Sequence, residues 1–394
     1  MSKIHQAIIV VLDSVGIGDA PDADAFGDLG SDTLGNTARA VGGLNLPNMA
    51  SLGLGNLGDF QGVPAVENSQ GAFGRLTEMS AGKDTTIGHW ELAGVSSKKA
   101  FPTFPNGFPE SFMAEFEKRI GRKTLGNYPA SGTVIVDELG EKHMKTGSPI
   151  VYTSGDSVFQ IAAHEEIIPV DELYQICEIA RDMLVGDLAV ARVIARPFIG
   201  EPGHFTRTEN RRDFSLTPPR NTLLDNLSQA GWMVAGVGKI EDIFAHRGLT
   251  DSNHTGNNLT TVDGTIDFIR TGRPGLIFAN LVDFDALYGH RNNPQGYAQA
   301  LEVFDKNLPR ILQSMAPDDI LFITADHGND PTTPSTDHSR ERVPLLIAGE
   351  MVKKNVDIGT RKTYADLAAT IASLFQIPGT GEGIDFSDLF LNGS

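Results

Sequence analysis

The sequence predicts an α/β protein with a mostly parallel sheet flanked by helices. Three observations carry this: strand-sized apolar runs, helical patterns lying between several of them, and acidic and histidine residues placed just after three of the runs. Strands buried on both faces of a sheet read as continuous apolar stretches rather than alternating ones. Strands that alternate with helices build parallel βαβ units. The first run, residues 7–12, is Ala-Ile-Ile-Val-Val-Leu and is closed by Asp13. Further strands are predicted over 150–153, 191–195, 233–237, 276–281, 320–324 and 343–347. Helical periodicity covers 109–120, 170–184, 222–230, 261–270, 297–314 and 364–375.

A chain of 394 residues exceeds what one core of ordinary size supports, so two or three domains are expected. Two aperiodic segments read as crossings between domains. Residues 96–107 are rich in Lys, Phe and Pro, and residues 205–220 are Arg-rich and end in Pro218-Pro219. The stretch between them has its own strands and helices. The expected organisation is a discontinuous core, residues 1–98 and 219–394, interrupted by a smaller inserted α/β cap domain, residues 99–218.

Composition excludes several classes. Hydrophobic residues make up 40% of the chain, which is ordinary globular usage and excludes global disorder. No apolar run approaches the roughly 20 residues needed to span a bilayer. The apolar run before Asp13 lacks the shape of a signal peptide. With 32 basic against 50 acidic residues the net charge is −18, so neither nucleic acid nor an anionic membrane is an expected partner. One cysteine, Cys177, excludes a disulfide framework and a cysteine-rich zinc site. It lies in a helical pattern and is expected to be packed. These features describe a soluble cytoplasmic protein.

The chemistry sits at strand ends, where ligands bind in open parallel sheets. Asp13 follows the first strand. Asp283 and Asp285 follow Leu281-Val282, with His290 shortly after; Asp326-His327-Gly328 follows Ile323-Thr324-Ala325; Asp337-His338 lies in the next loop. Carboxylate oxygen with imidazole nitrogen suits Zn²⁺ or Mn²⁺. That many candidate ligands are too many for one tetrahedral ion, so two ions are the natural number. Two-metal sites stabilise both the attacking and leaving oxygens of an in-line displacement, and phosphoryl transfer is the usual reaction. The nucleophile is then sought in Gly82-Lys83-Asp84-Thr85-Thr86-Ile87-Gly88-His89-Trp90-Glu91, where Asp and Thr suit a helix start with amides facing an anion. Local sequence does not separate Thr85 from Thr86.

These segments, Asp13 through Gly18, Gly82-Lys83-Asp84-Thr85 through Gly88-His89-Trp90-Glu91, Val282 through Asp285 with Gly289-His290-Arg291, Thr324 through Asp330, and Thr336-Asp337-His338, resemble bacterial phosphopentomutases of the alkaline phosphatase superfamily. The stretch Tyr152-Thr153-Ser154-Gly155-Asp156-Ser157 through Ala162-Ala163-His164-Glu165-Glu166 belongs to the same resemblance, which covers essentially the whole chain. It implies an alkaline-phosphatase-like core, with Thr85 as the phosphorylated nucleophile. It further implies two Mn²⁺ ions, one held by Asp285, His290 and His338 and the other by Asp13, Asp326 and His327. Asp283 is not expected to touch either ion.

The implied reaction interconverts ribose 1-phosphate and ribose 5-phosphate, and the 2-deoxyribose pair, through a pentose 1,5-bisphosphate. Glucose 1,6-bisphosphate or a pentose 1,5-bisphosphate is the implied activator, and nucleoside catabolism the implied setting. The inserted domain would exclude water from the phosphorylated threonine. Ser154, Asp156, Arg192 and Arg207 of the insert, with Lys239 of the core, would bind the sugar and its distal phosphate, since guanidinium forks suit phosphate. Arg196, four residues beyond Arg192, would face the same way. Partners are then small-molecule sugar phosphates, with no obligate protein partner. The chain departs from the family pattern at Gly155, where a residue such as Ala is expected, and at Arg211-Arg212, where Arg-His is common. A metal-dependent phosphomonoesterase shares the core chemistry and is the main alternative. A phosphoglycerate mutase of the superfamily would use Ser, and a sulfatase would need a Cys-x-Pro-x-Arg-like motif that Cys177 lacks.

Overall fold

A computed structural model describes residues 4–392. The chain divides into two compact units, one running to Ala100 and resuming at Pro218, the other spanning Phe101–Thr217. The first unit opens with β1 (Gln6–Leu12), α1 (Thr33–Val41), β2 (Ala72–Leu76) and α2 (Thr85–Leu92). The second contains α3 (Glu110–Ile120), β3 (Leu125–Pro129), α4 (Gly132–Thr146), β4 (Ile150–Thr153), β5 (Val158–His164), α5 (Val170–Met183), β6 (Arg192–Ile199), β7 (Thr206–Arg207) and β8 (Arg212–Ser215). The chain then completes the first unit with α6 (Leu223–Gln229), β9 (Met233–Val237), β10 (Asp251–Asn253), α7 (Asn258–Arg270) and β11 (Gly275–Leu281). It ends with α8 (Pro294–Ser314), β12 (Ile320–Thr324), β13 (Val343–Ala348), β14 (Val356–Arg361) and α9 (Ala365–Leu374).

The first unit holds one eight-stranded sheet in the order β10-β9-β11-β1-β12-β13-β2-β14. Every residue of β1 is buried, as its unbroken apolar run requires for a strand covered on both faces. It pairs in parallel with β11 and β12, with Leu12 opposite Leu281 and Val11 opposite Thr324. This register brings three strand ends to one edge of the sheet: Asp13, the Asp283–Asp285 turn and Asp326-His327. Only the pairings of β13, with β12 and β2, are antiparallel. An apolar run states that a strand is buried, not which way it points. Several elements gave no sequence signal. Among them, β2 is short and carries Gly74, β14 is polar on most of its length, and α4 begins with Gly and β-branched residues.

The second unit is built on a mixed six-stranded sheet in which β4 runs antiparallel to β5, and β7 and β8 run antiparallel to β6. Its two faces carry separate cores. One packs Phe108, Phe112 and Phe116 of the α3 side and Leu173, Ile176 and Cys177 of α5 against Phe159, Ile161 and Val193. The other packs Ile135 and Val136 of α4 against Ile150, Tyr152, Ala162 and Phe198.

In the last turn of α4 a buried histidine fixes its own tautomer. His143 Nδ1–H donates to the Ser148 carbonyl at 2.8 Å, while Nε2 accepts from the His164 amide at 2.8 Å. Burial holds the His143 pKa below its ordinary 6.5. The neutral ring is therefore favoured in the fold, and the unfolded chain binds the extra proton first. Stability is full above pH 6.5 and falls as the pH drops below that value. Thermal unfolding followed at pH 7.5 and 5.5 should show a lower midpoint at pH 5.5, with the loss reduced in His143→Gln.

Candidate metal centre

The aligned ends of β1, β11 and β12 set four candidate ligands, Asp13, Asp285, Asp326 and His327, around one buried point. Asp13 is 2% exposed, and Asp326 and His327 are at most 1% exposed. His327 Nδ1–H donates to the Gly328 carbonyl at 3.0 Å, which leaves Nε2 bare in the neutral ring. That nitrogen lies 3.4 Å from Asp13 Oδ1 and 3.4 Å from Asp326 Oδ2. Asp285 sits in a π-helical turn over Phe284–Tyr288, a rare geometry frequent at functional sites. Its Oδ2 is 3.1 Å from His290 Nε2, and its Oδ1 is 3.5 Å from His338 Nε2. His290 Nδ1–H donates to the Thr336 carbonyl at 2.6 Å, and the two Nε2 atoms of His290 and His338 approach to 3.2 Å. Donor atoms of Asp13, Asp326 and His327 fall within 4.8 Å of one another, as do those of Asp285, His327 and His338. The six residues thus form one continuous cluster, with His327 common to both groups.

The donor set fits cations. Asp13 Oδ1 and Asp326 Oδ2 are buried oxygens with no hydrogen-bond partner, and unpaired buried carboxylate oxygens are costly unless a positive charge meets them. Burial and the Asp326 charge push the Asp13 carboxyl up. Burial works against ionising Asp285 too, but His338 and His290 hold it well below the usual carboxylate range. Burial opposes a proton on His327, yet Asp326 and Asp13 raise its pKa well above 6.5. That proton occupies the place of a cation. A divalent ion held by this cluster would take the place of that proton, so loading would release a proton and affinity would fall with falling pH.

The Thr85 side chain reaches the same point. Thr85 is the first residue of α2; Asp84 caps the helix, its Oδ1 accepting from the Thr86 and Ile87 amides at 3.0 and 3.1 Å. Thr85 Oγ1 stands 3.1 Å from His327 Nε2. This contact distinguishes Thr85 from Thr86. One turn on, His89 Nδ1–H donates to the Thr85 carbonyl at 2.9 Å and lies 3.1 Å from Asp326 Oδ2. Asn280 Nδ2 bridges His89 Nε2 at 3.1 Å and Asp13 Oδ2 at 3.0 Å. At the end of α2, Glu91 accepts from the Met79 and Ser80 amides, the Thr363 hydroxyl and the Tyr364 amide at 2.7–3.0 Å. The Gly-His-Trp-Glu sequence is therefore the device that fixes α2 against the ligand loops.

Gly88 completes that fit. A Cβ there would collide with the Asp326 carbonyl, so α2 approaches the ligand loop only because the position is glycine. Gly88→Ala should lower turnover about 100-fold, the size of effect an ångström of misplacement produces, while metal content stays near wild type. Steady-state kinetics paired with elemental analysis checks this.

Sequence reasoning overlooked several residues that hold the ligands. Ser14, at φ 71°, donates its amide to Asp326 Oδ1 at 3.1 Å, and its hydroxyl meets the Tyr297 hydroxyl at 3.0 Å. Asn329 Nδ2 donates to Asp285 Oδ1 at 2.8 Å. Buried Glu341 accepts from the Thr33 amide and hydroxyl and the Ser339 hydroxyl, tying α1 to the loop after His338. A legible signal existed for Asn280, a polar residue inside the apolar β11 run, and for His89, one helical turn from Thr85. Asp283 turns away to accept from the Asn258 amide at 2.9 Å. Asp337 is exposed, and its Oδ2 is 3.8 Å from Lys83 Nζ.

The remaining candidates lie as follows. Lys239 is exposed in the first unit, directly after β9 and Gly238. In the second unit, Ser154 and Asp156 share the loop after β4, where the Asp156 amide donates to Ser154 Oγ at 3.3 Å. Arg192 opens β6 with its Nη1 3.4 Å from Asp213 Oδ2. Arg207 is in β7, opposite Phe198.

The α/β fold and the carboxylate–histidine cluster are those of a metalloenzyme, and residues 5–379 match the profile of the Metalloenzyme superfamily. The phosphopentomutase of Alkaliphilus oremlandii is 57% identical over 98% of this chain and 99% of its own. That of Caldanaerobacter subterraneus is 58% identical over 97% of each chain. Among solved structures, a phosphoglycerate mutase of Leishmania mexicana aligns over 99% of this chain and 98% of its own, with 12% identity and a TM-score of 0.49. The chain belongs to the phosphopentomutase family and is an enzyme of the isomerase class, a mutase. Among the described residues no helix is long and apolar enough to cross a membrane.

Proposed function

We propose that the protein interconverts ribose 1-phosphate and ribose 5-phosphate, and the 2-deoxyribose pair, by way of a phosphate carried on Thr85. The observation that carries this reading is the Thr85 hydroxyl 3.1 Å from His327 Nε2, the histidine common to both groups of candidate ligands. In the first half-reaction the free sugar hydroxyl attacks the phosphorus, the bond to Thr85 Oγ1 breaks, and a pentose 1,5-bisphosphate forms. In the second, Thr85 Oγ1 attacks the other phosphate, whose bond to the sugar oxygen breaks. The enzyme is returned to its phosphorylated form and the isomeric monophosphate leaves. Glucose 1,6-bisphosphate or a pentose 1,5-bisphosphate would charge Thr85 at the start.

Two Mn²⁺ ions, held by Asp285, His290 and His338 and by Asp13, Asp326 and His327, would neutralise charge on the phosphoryl oxygens and lower the pKa of the Thr85 hydroxyl. The chain's own groups do the positioning. Asp84 holds α2 so that its N-terminus, with its partial positive charge, faces the phosphate. His89 and Asn280 fix the Thr85 carbonyl and the two carboxylates relative to each other. Ser154, Asp156, Arg192 and Arg207, with Lys239, would bind the sugar and its distal phosphate. The setting would be cytoplasmic nucleoside catabolism. Incubation with ³²P-labelled glucose 1,6-bisphosphate and peptide mapping tests the reading: label on the peptide containing Thr85 supports it, and label on another residue, or none, contradicts it.

A further inference from the structure

The loop that leads to Thr85 is gripped by a residue from the loop that carries His338. Residues 77–84 join β2 to α2. Arg340, two residues beyond His338, is 2% exposed. A guanidinium has five N–H donors in a fixed plane, and here each one has an acceptor. Nη2 donates to the Glu78 carbonyl at 2.9 Å; Nη1 donates to the Gly82 carbonyl and to Glu78 Oε2, both at 2.8 Å. Nε and the second Nη2 hydrogen meet the Asp22 carboxylate at 3.1 and 3.0 Å. The guanidinium also lies 4.8 Å from the centre of the Phe26 ring, within cation–π range. Arg340 thus holds residues 78–82 at both ends.

The backbone of the same residue makes a second link. The Arg340 amide donates to Asp28 Oδ2 at 2.8 Å. Asp28 also accepts from Lys83 Nζ, at 2.9 Å on Oδ2 and 3.2 Å on Oδ1. Lys83 follows Gly82 directly, so Gly82, Lys83, Asp28 and Arg340 close a ring of contacts. Lys83 Nζ stands 3.8 Å from Asp337 Oδ2, beside His338. The ring spans the loop before Asp84 and the loop that carries His338. A loop fixed at both ends on a planar fork has one position rather than several. Phosphoryl transfer depends chiefly on how the attacking and leaving oxygens are placed, and Thr85 supplies one of them in each half-reaction.

We propose that Arg340, with Lys83 and Asp28, is a positioning device that fixes the Thr85 loop relative to the His338 loop, so that Thr85 Oγ1 stands in line in both half-reactions. This deepens the mutase reading and rests on Thr85 being the nucleophile. These side chains act through the loop and not on the sugar phosphate. Their loss therefore lowers kcat and leaves KM unchanged.

Lys83→Met and Asp28→Asn test the ring, each as the full chain at saturating Mn²⁺. Methionine keeps the reach of the side chain without its charge. Asparagine can still accept from the Arg340 amide but offers Lys83 no anion. Each variant should lower kcat for ribose 5-phosphate about tenfold, less than the roughly 100-fold cost of an ångström of misplacement. KM should stay within about twofold, with metal content and unfolding temperature near wild type. The double variant should fall no further than either single one, because both break the same link. Lys83→Arg should recover most of the loss. Arg340→Lys keeps the buried charge without the fork and should lose about 100-fold in kcat. An unchanged kcat in Lys83→Met and Asp28→Asn, a loss that falls on KM instead, or additive losses in the double variant would overturn the positioning role even if the enzyme is a mutase. If the wild-type protein only hydrolyses ribose 5-phosphate, the same kcat losses in that hydrolysis would uphold the positioning role and overturn the mutase reading.

Discussion

Thr85→Ala should abolish phosphoryl transfer while leaving the metal ions in place. The substitution removes the hydroxyl with the γ-methyl, and the hydroxyl stands 3.1 Å from His327 Nε2 without belonging to either group of candidate ligands. Loss of a covalent nucleophile lowers turnover by about four to six orders of magnitude. The helix start survives, because the cap belongs to Asp84 and engages the amides of Thr86 and Ile87. Unfolding temperature and metal content should therefore match the wild-type protein. Thr86→Ala, one residue on, should retain most activity. Should Thr86→Ala be the inactive variant, the nucleophile is misassigned.

Asp326→Asn should weaken metal binding and activity together. Asp326 Oδ1 accepts from the Ser14 amide at 3.1 Å, while Oδ2 has no hydrogen-bond partner and faces His327 and His89. Asparagine can keep the bond to Ser14. It cannot supply the negative oxygen, and its amide group would sit where the cation is expected. Since even outer partners of a metal ligand change affinity 10–100-fold, loss of this oxygen should reduce affinity by more than about 100-fold. Metal titration followed by calorimetry, alongside turnover at saturating Mn²⁺, separates the two effects. Unchanged metal affinity would remove Asp326 from the ligand set.

The sequence was most informative where burial and chemistry coincide. The run before Asp13 is apolar because β1 is covered on both faces, and the acidic residue that ends it stands out for the same reason. Asp285 and Asp326 stand out similarly after β11 and β12, and the parallel register places them beside Asp13. What was not legible depends on contacts distant in sequence. Thr85 and Thr86 differ only in which side chain faces His327, 242 residues away. Asn329 and Glu341 look like loop polarity until their partners, Asp285 and Thr33, are brought to them. Strand β2, with Gly74 in its middle, lacks a propensity signal of its own and forms because β13 and β14 flank it.

The central claim is transfer through an enzyme-bound phosphate between the two ends of a pentose. ³¹P NMR of the protein with Mn²⁺, ribose 5-phosphate and a trace of glucose 1,6-bisphosphate addresses it directly. The account predicts a growing ribose 1-phosphate signal without comparable free phosphate. Free phosphate alone would contradict it: the metal centre would then serve a phosphomonoesterase, and the residues given to the distal phosphate would lose that role.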